Sequence, residues 1–152
     1  MPNFRNLEEI RAYLSKKVGS ALERDVADAV KEAMHDRVES DVYNAYNPSM
    51  YERRGSHSGG LGDKKNMKAQ MLDDTTLLLT NETPPNPNYR HLRLRGWSVA
   101  KSVERGARYD YISPEEIGPR PFTKNTANEL RAKKQHIYAL VQSLKRQGIT
   151  TK

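Results

Sequence analysis

The chain has 152 residues, no cysteine and a formal net charge of +7 at pH 7. This length fits one domain, and 36% hydrophobic residues is low for a globular protein, so we expect a thin core with part of the chain outside it. The lack of cysteine excludes disulfides and thiolate metal sites. Because no long apolar run and no signal-peptide pattern are present, we expect a soluble protein, intracellular when made, with no membrane partner.

The stretch from Ser20 to Tyr43 predicts a long amphipathic helix. It contains neither Gly nor Pro. Its aliphatic residues recur at every fourth position, at Leu22, Val26, Val30, Met34, Val38 and Val42. The opposite face is almost wholly charged, so we expect one face to pack in the core and the other to meet solvent or a partner.

The apolar spacing of the predicted helix also continues toward the N-terminus, before Ser20. The same spacing continues at Ile10, Leu14 and Val18. A spacing of four drifts by about 40° per step, so the stripe cannot stay against one flat neighbour. Gly19 weakens a helix, and we therefore predict an arm or short helix within residues 1–19, over Asn6 to Lys17, and a single α+β domain over residues 20–152.

A long loop and a hairpin follow the predicted helix. Residues 44–66 are rich in Gly and Ser and lack apolar periodicity, so we expect a mobile loop with little to bury. It is not a phosphate-binding loop, because Gly62 is followed by Asp-Lys-Lys and a strand pattern. Met67 to Glu82 then predicts a β-hairpin that turns at Asp73-Asp74.

The second half of the chain alternates extended and helical patterns. Prolines make residues 83–88 an extended connection, and Tyr89 to Arg95 predicts a half-buried strand with a cationic outer face. Trp97, Ala100 and Val103 predict a short helix that a glycine cap at Gly106 ends. Thr126 to Glu129 matches a capping box, so we predict one C-terminal helix from there to Gly148, packed on the sheet or beside the long helix. The fold class expected is α+β, a long N-terminal helix packed on a small antiparallel sheet with a short and a C-terminal helix.

Three short motifs occur in a particular order. Tyr51-Glu52-Arg53-Arg54-Gly55 is followed by Leu61, then by Val103-Glu104-Arg105-Gly106, then by Arg120-Pro121-Phe122. This order resembles the tail-completion proteins of long-tailed bacteriophages, which include head–tail joining, neck and minor tail proteins. The resemblance covers roughly Val18 to Lys145. The chain departs from the family pattern in its Gly/Ser-rich expansion and in its Pro-rich connection.

The resemblance implies a function and a set of interface residues. It implies a non-enzymatic virion structural protein that forms a ring at the junction of neck and tail tube, and the copy number that it implies is that of a hexamer. Implied partners are further copies of the chain and other neck and tail-tube proteins, with DNA passing through the ring. The implied location is the virion, after assembly in the host cytoplasm. The implied interface residues are Arg53, Arg54, Leu61, Glu104, Arg120 and Phe122.

The histidine and serine residues do not form the pattern of an enzyme active site. The histidines are scattered without paired metal spacing, and Ser56-His57-Ser58 lacks the fixed geometry of a catalytic triad, so we expect no enzyme, metal or cofactor.

Basic residues concentrate between residues 90 and 146, which suits binding to nucleic acid or to an acidic protein surface. The alternative function is therefore a basic nucleic-acid-binding module. Arg120 is expected to be exposed, and Glu104 to accept backbone hydrogen bonds or to pair with an arginine such as Arg120.

Overall fold

A computed structural model describes residues 3–45, 53–86, 98–106 and 118–150. The predicted strand from Tyr89 to Arg95, and Trp97, lie outside the described residues. Within them the chain has a long N-terminal helical segment, a two-stranded antiparallel sheet and C-terminal helices, which confirms the α+β class.

The N-terminal segment is helical from Leu7 to Tyr43. It consists of α1 (Leu7–Ala21), a π-helical turn (Leu22–Val26), α2 (Ala27–Val38) and a second π-helical turn (Glu39–Tyr43). Asn6 caps its start, because its side chain accepts a hydrogen bond from the Glu9 N–H at 2.9 Å.

The interruption predicted at Gly19 is wrong, since α1 continues through it. The drift of the spacing-four stripe is absorbed instead by the π-helical turns, whose i to i+5 bonds widen the turn. Gly19 has a different role. A Cβ atom there would lie 3.3 Å from the carbonyl oxygen of Asp74, so glycine lets the helix and the hairpin turn approach closely.

The hairpin forms where it was predicted. Strand β1 (Met67–Asp73) pairs with β2 (Thr76–Asn81), and Asp73 holds the turn by accepting from the Thr75 N–H at 2.8 Å. At the open end, the Glu82 N–H donates to the Asn66 carbonyl at 2.8 Å. The short helix α3 (Val99–Arg105) ends at Gly106, which has φ 65°, so the predicted glycine cap is confirmed.

The C-terminal region contains two helices rather than the one predicted. Helix α4 spans Phe122–Lys133 and α5 spans Gln135–Arg146, with Lys134 between them in the left-handed region at φ 55°. The capping box predicted at Thr126 is also wrong. Thr126 lies inside α4, where its hydroxyl donates to the Phe122 carbonyl at 2.7 Å.

The described elements divide between two compact units. Unit 1 comprises residues 1–30, 69–79 and 134–152, and unit 2 comprises residues 31–68 and 80–133. In unit 1, α5 packs against α1 and the first π-helical turn, as predicted for a helix beside the long one. Asp25 fixes this packing, because it accepts hydrogen bonds from Ser143 and Arg146. The core of unit 2 includes Met34, Val38, Val42, Leu61, Met67, Val103 and Phe122. The predicted boundary at residue 19 coincides with no unit boundary, and folding of residues 20–152 as one domain stays a prediction.

Candidate interface site

All six residues implied as interface residues belong to unit 2, where they lie in two structured segments. The first is the glycine-rich loop, residues 53–66, which holds Arg53, Arg54 and Leu61. The second is the α3–α4 junction, residues 103–106 and 118–123, which holds Glu104, Arg120 and Phe122. The structure brings the members of each group together.

Tyr43, the last residue of the long helix, organises the glycine-rich loop. Its hydroxyl donates to the Arg54 carbonyl at 3.2 Å and accepts from the Gly62 N–H at 3.1 Å. Burial raises the pKa of this phenol. The Arg53 guanidinium lies 4.9 Å from the centroid of the Tyr43 ring and donates to the Tyr43 carbonyl at 2.9 Å. Arg53 therefore fastens the loop to the end of the helix.

The middle of the loop is buried, so the premise that it has little to bury is wrong. Gly60, Leu61, Gly62 and Asp63 are all buried, with Leu61 only 4% exposed. The Asn81 amide donates to the Leu61 carbonyl at 2.8 Å, and His35 Nδ1 donates to the Gly62 carbonyl at 2.8 Å. These contacts favour a folded loop over residues 53–66; residues 46–52 lie outside the described part of the chain. Leu61 anchors the loop, and its contact with a partner stays a prediction.

Two further side chains close the loop on itself and on a neighbouring segment. Asp63 accepts from the N–H groups of Lys65 and Gly59, both at 3.0 Å. These hydrogen bonds, with that of Lys65 the stronger influence, hold the pKa of Asp63 below its usual range. Arg54 donates to the Pro84 carbonyl and so ties the loop to the Pro-rich connection.

The α3–α4 junction joins the two other motifs directly. The Arg120 N–H donates to the Val103 carbonyl at 3.1 Å, and a Glu104 carboxylate oxygen accepts from the Thr123 N–H in the first turn of α4. Glu104 thus places a negative charge where the helix has unsatisfied donors. Acceptance of a backbone hydrogen bond, the first of the two roles considered for Glu104, is thus confirmed. Phe122 is fully buried, and Arg120 is half-buried where exposure was expected.

An ion-pair network between α2 and α4 was not found from the sequence. Glu129 contacts Arg37 and Lys133, each at 2.5 Å, and its side chain is 8% exposed. The Lys133 hydrogen bond, followed by that of Arg37, lowers the pKa of Glu129. In addition, the Asn125 amide donates to Asp41 at 2.9 Å. Arg37 and Glu129 are 92 positions apart, and no local pattern signals such a pair.

The charged side chains of the site therefore serve to hold the local structure in place. Asp63, Glu104 and Glu129 each hold a backbone N–H or a cation, which fixes a loop or a helix end. Within the described ranges, no group of three or more His, Asp or Glu side chains is placed to hold a metal ion. The helices described there are all too short or too polar to cross a membrane.

Comparisons with known proteins identify where this chain comes from. The pattern that defines the YomN family matches residues 6–146. The chain is 28% identical over 156 residues to the SPbeta prophage-derived uncharacterized protein YomN of Bacillus subtilis (strain 168), an alignment that covers 97% of this chain and 98% of the relative. No solved structure gives a significant match.

These matches make the chain a protein of bacteriophage origin. It belongs to the YomN family, whose match runs from the Asn6 cap of α1 to the last residue of α5. The phage origin that the sequence motifs implied is thus supported, whereas a role in tail completion is a matter for the proposal that follows.

Proposed function

We propose that this chain is a non-enzymatic structural protein of the virion, a tail-completion or head–tail joining subunit that forms a ring at the junction of neck and tail tube. Its partners are further copies of itself and other neck and tail-tube proteins. It is assembled in the host cytoplasm and ends in the virion. Its membership of a family with a prophage-derived relative is consistent with this role.

The observation that carries the proposal is the distribution of exposed apolar side chains. Among the described residues, every large hydrophobic side chain that is exposed belongs to unit 1: Phe4, Leu7, Leu14, Leu72, Leu78, Ile137 and Tyr138. Tyr138 is 67% exposed and Leu72 is 57% exposed. Apolar surface of this kind on a small unit suits protein–protein contact, and aromatic side chains are common at the centre of such contacts.

Unit 2 differs from unit 1 in that its two structured segments are held by internal hydrogen bonds. Its glycine-rich loop and α3–α4 junction are held by internal hydrogen bonds, so their shape is set before a partner binds. Preformed loops are suited to contact neighbouring subunits in a defined geometry. We therefore assign the apolar contacts to unit 1. We assign the polar contacts with neck or tail-tube proteins to the two structured segments of unit 2.

The alternative of nucleic-acid binding retains one supporting observation. Lys101 and Arg105 on α3, and Lys124 and Arg131 on α4, are exposed. Such side chains would neutralise phosphates in a nucleic-acid-binding module, and they would equally line the path of DNA through a ring. Basicity alone does not separate the two functions, whereas the loss of head–tail joining does.

Complementation tests the proposal. In a phage that lacks this protein, we expect unjoined heads and tails, and wild-type protein restores infectious particles. Tyr138→Asp places a charge on the exposed face of α5, so it should leave the melting temperature unchanged and reduce infectious particles at least about tenfold. Lys145→Asp on the same helix is the matched exposed control. Normal joining in the absence of the protein would overturn the proposal.

A further inference from the structure

Two stretches of unit 1 present exposed apolar side chains with opposite charges beside them. The first is the hairpin tip, which we define as residues 72–78. Leu72 on β1 is 57% exposed and Leu78 on β2 is 42% exposed. The turn between the strands carries Asp73 and Asp74, which are both exposed, and residues 69–79 include no basic residue. The hairpin tip is therefore apolar and anionic.

The second stretch is the α5 face, which we define as Lys134, Ile137 and Tyr138. Tyr138 is 67% exposed and Ile137 is 48% exposed, and both lie in the first turn of α5. Lys134 is exposed and begins that turn, because its carbonyl accepts from the Tyr138 N–H at 3.0 Å. Residues 134–146 include no acidic residue. The α5 face is therefore apolar and cationic.

Contacts with the long N-terminal helical segment hold both stretches in place without covering them. The carbonyl oxygen of Asp74 lies against Gly19, where a Cβ atom would be only 3.3 Å away. Helix α5 is held near its C-terminal end, where Ser143 donates to Asp25. Because the side chains of the hairpin tip and of the α5 face remain largely in solvent, each stretch has apolar surface available to another chain.

The two stretches are complementary to each other, and this complementarity selects a second copy of the chain as the occupant. A contact between Leu72 and the ring of Tyr138 removes two strongly exposed side chains from water, and tyrosine is common at the centre of protein contacts. The opposite charges beside such a contact favour it, whereas two copies of the same stretch would bring like charges together. The contact joins different surfaces of the two copies, so it repeats from subunit to subunit and forms a ring when the rotation closes.

We propose that the hairpin tip of one copy docks on the α5 face of the next copy. Leu72 of the first copy packs against Tyr138 of the second. Asp74 forms an ion pair with Lys134 across the contact, while Asp73 continues to hold its own turn. This contact rests on the proposed ring, and it assigns the surfaces by which neighbouring subunits meet.

Two variants that each disable one side of the contact test it by sedimentation and light scattering. Leu72→Asp disables the hairpin tip and Tyr138→Asp disables the α5 face, so each variant alone should be a monomer of 17.4 kDa. An equimolar mixture keeps one intact contact, between the hairpin tip of the Tyr138→Asp chain and the α5 face of the Leu72→Asp chain. The mixture should therefore form a heterodimer of twice that mass. Ala69→Asp and Lys145→Asp are the controls, because these exposed positions lie about 10 Å along the strand or helix from the contact, and both should keep the wild-type mass.

A charge exchange tests whether the acidic partner of the α5 face is the hairpin tip. Asp74→Lys places two cations together and should raise the dissociation constant at least about threefold. The double variant Asp74→Lys with Lys134→Asp again joins opposite charges and should regain the wild-type dissociation constant. Aspartate also tolerates the left-handed conformation at position 134, which has φ 55°. A double variant as weak as Asp74→Lys would contradict the ion pair.

The proposal is overturned when either aspartate variant keeps the wild-type mass, or when the mixture stays monomeric, as expected for a hairpin tip that binds another virion protein. Circular dichroism and melting should match those of the wild type, since the replaced side chains are largely in solvent; Leu72→Ser and Tyr138→Ser repeat the test for an aspartate variant that does not match. Imaging separates this outcome from that of the ring. Rings in both aspartate variants overturn the contact and leave the ring standing, whereas a heterodimer in the mixture with open filaments in the wild type supports the contact and overturns the ring.

Discussion

Gly60 is the position at which the packing of the glycine-rich loop can be tested most sharply. A Cβ atom there would lie 2.6 Å from the Gly55 carbonyl oxygen and 2.7 Å from the Tyr43 hydroxyl, and it would also contact the Arg54 carbonyl oxygen. These distances are shorter than any ordinary van der Waals contact, and two of the three atoms belong to the backbone. In Gly60→Ala the loop must therefore move away from the end of the long helix.

The cost follows from the contacts that such a movement disrupts. The Gly60 N–H donates to Gly55 at 3.2 Å, and the Gly60 carbonyl accepts from the Asn66 amide at 3.0 Å. Overpacking costs about 1–3 kcal/mol and each weakened hydrogen bond about 1 kcal/mol, against a gain of about 0.4–1 kcal/mol from the stiffer unfolded chain. We expect a net loss of about 2–4.5 kcal/mol, or roughly 4–18 °C in melting temperature for a chain of this size.

Urea unfolding and limited proteolysis together provide the assay. Gly118→Ala is the control, because a Cβ atom at Gly118 has no atom of the described residues within 4 Å. In the wild-type protein, Arg53, Arg54, Lys64 and Lys65 should resist trypsin, and in Gly60→Ala cleavage at these sites should accelerate. Equal stability and equal cleavage of the two alanine variants would refute the packed loop and return it to the mobile state that its composition suggests.

Two other predictions concern the α3–α4 junction and the α2–α4 network. Arg120→Glu, with circular dichroism to confirm that the half-buried site keeps its fold, should reduce head–tail joining in complementation at least about tenfold through charge repulsion. The exposed Lys145→Glu is the control, and normal joining by the folded Arg120→Glu protein removes Arg120 from the interface. Glu129 has a pKa below its ordinary value of 4.5, so its stabilising contribution is present above that pH and disappears as the pH falls through the lower, folded-state pKa. Glu129→Gln should therefore lower the free energy of unfolding at pH 7 by about 1–3 kcal/mol. Urea titrations at decreasing pH should show that the difference between wild-type and Glu129→Gln protein becomes smaller. A difference that does not change with pH would contradict the role of the Glu129 charge.

The elements predicted correctly are those that local signals specify. The long helix follows from an apolar residue at every fourth position, the hairpin from two β-prone runs around Asp73-Asp74, and the end of α3 from Gly106. Each signal acts within a few residues, where periodicity and backbone preference decide the conformation. The interruption expected at Gly19 failed because a single glycine costs only about 1 kcal/mol, which the surrounding helix offsets.

The features that sequence reasoning missed depend on distant contacts. The order of the glycine-rich loop comes from Tyr43, His35 and Asn81, and none of these lies within the loop itself. The break between α4 and α5 occurs at Lys134, a residue type with no preference for the left-handed region. Of the implied site residues, Leu61 and Phe122 are buried, since apolar residues in a motif serve packing more often than contact.

Mass measurement combined with negative-stain imaging of the purified protein, without DNA, tests the central claim most directly. The account predicts closed rings, sixfold in end view by resemblance to tail-completion proteins, with a mass that is an even multiple of 17.4 kDa. The same particles should persist when DNA is added. A species without rings that binds DNA in a strongly salt-dependent manner would contradict the assembly role and favour the nucleic-acid-binding module.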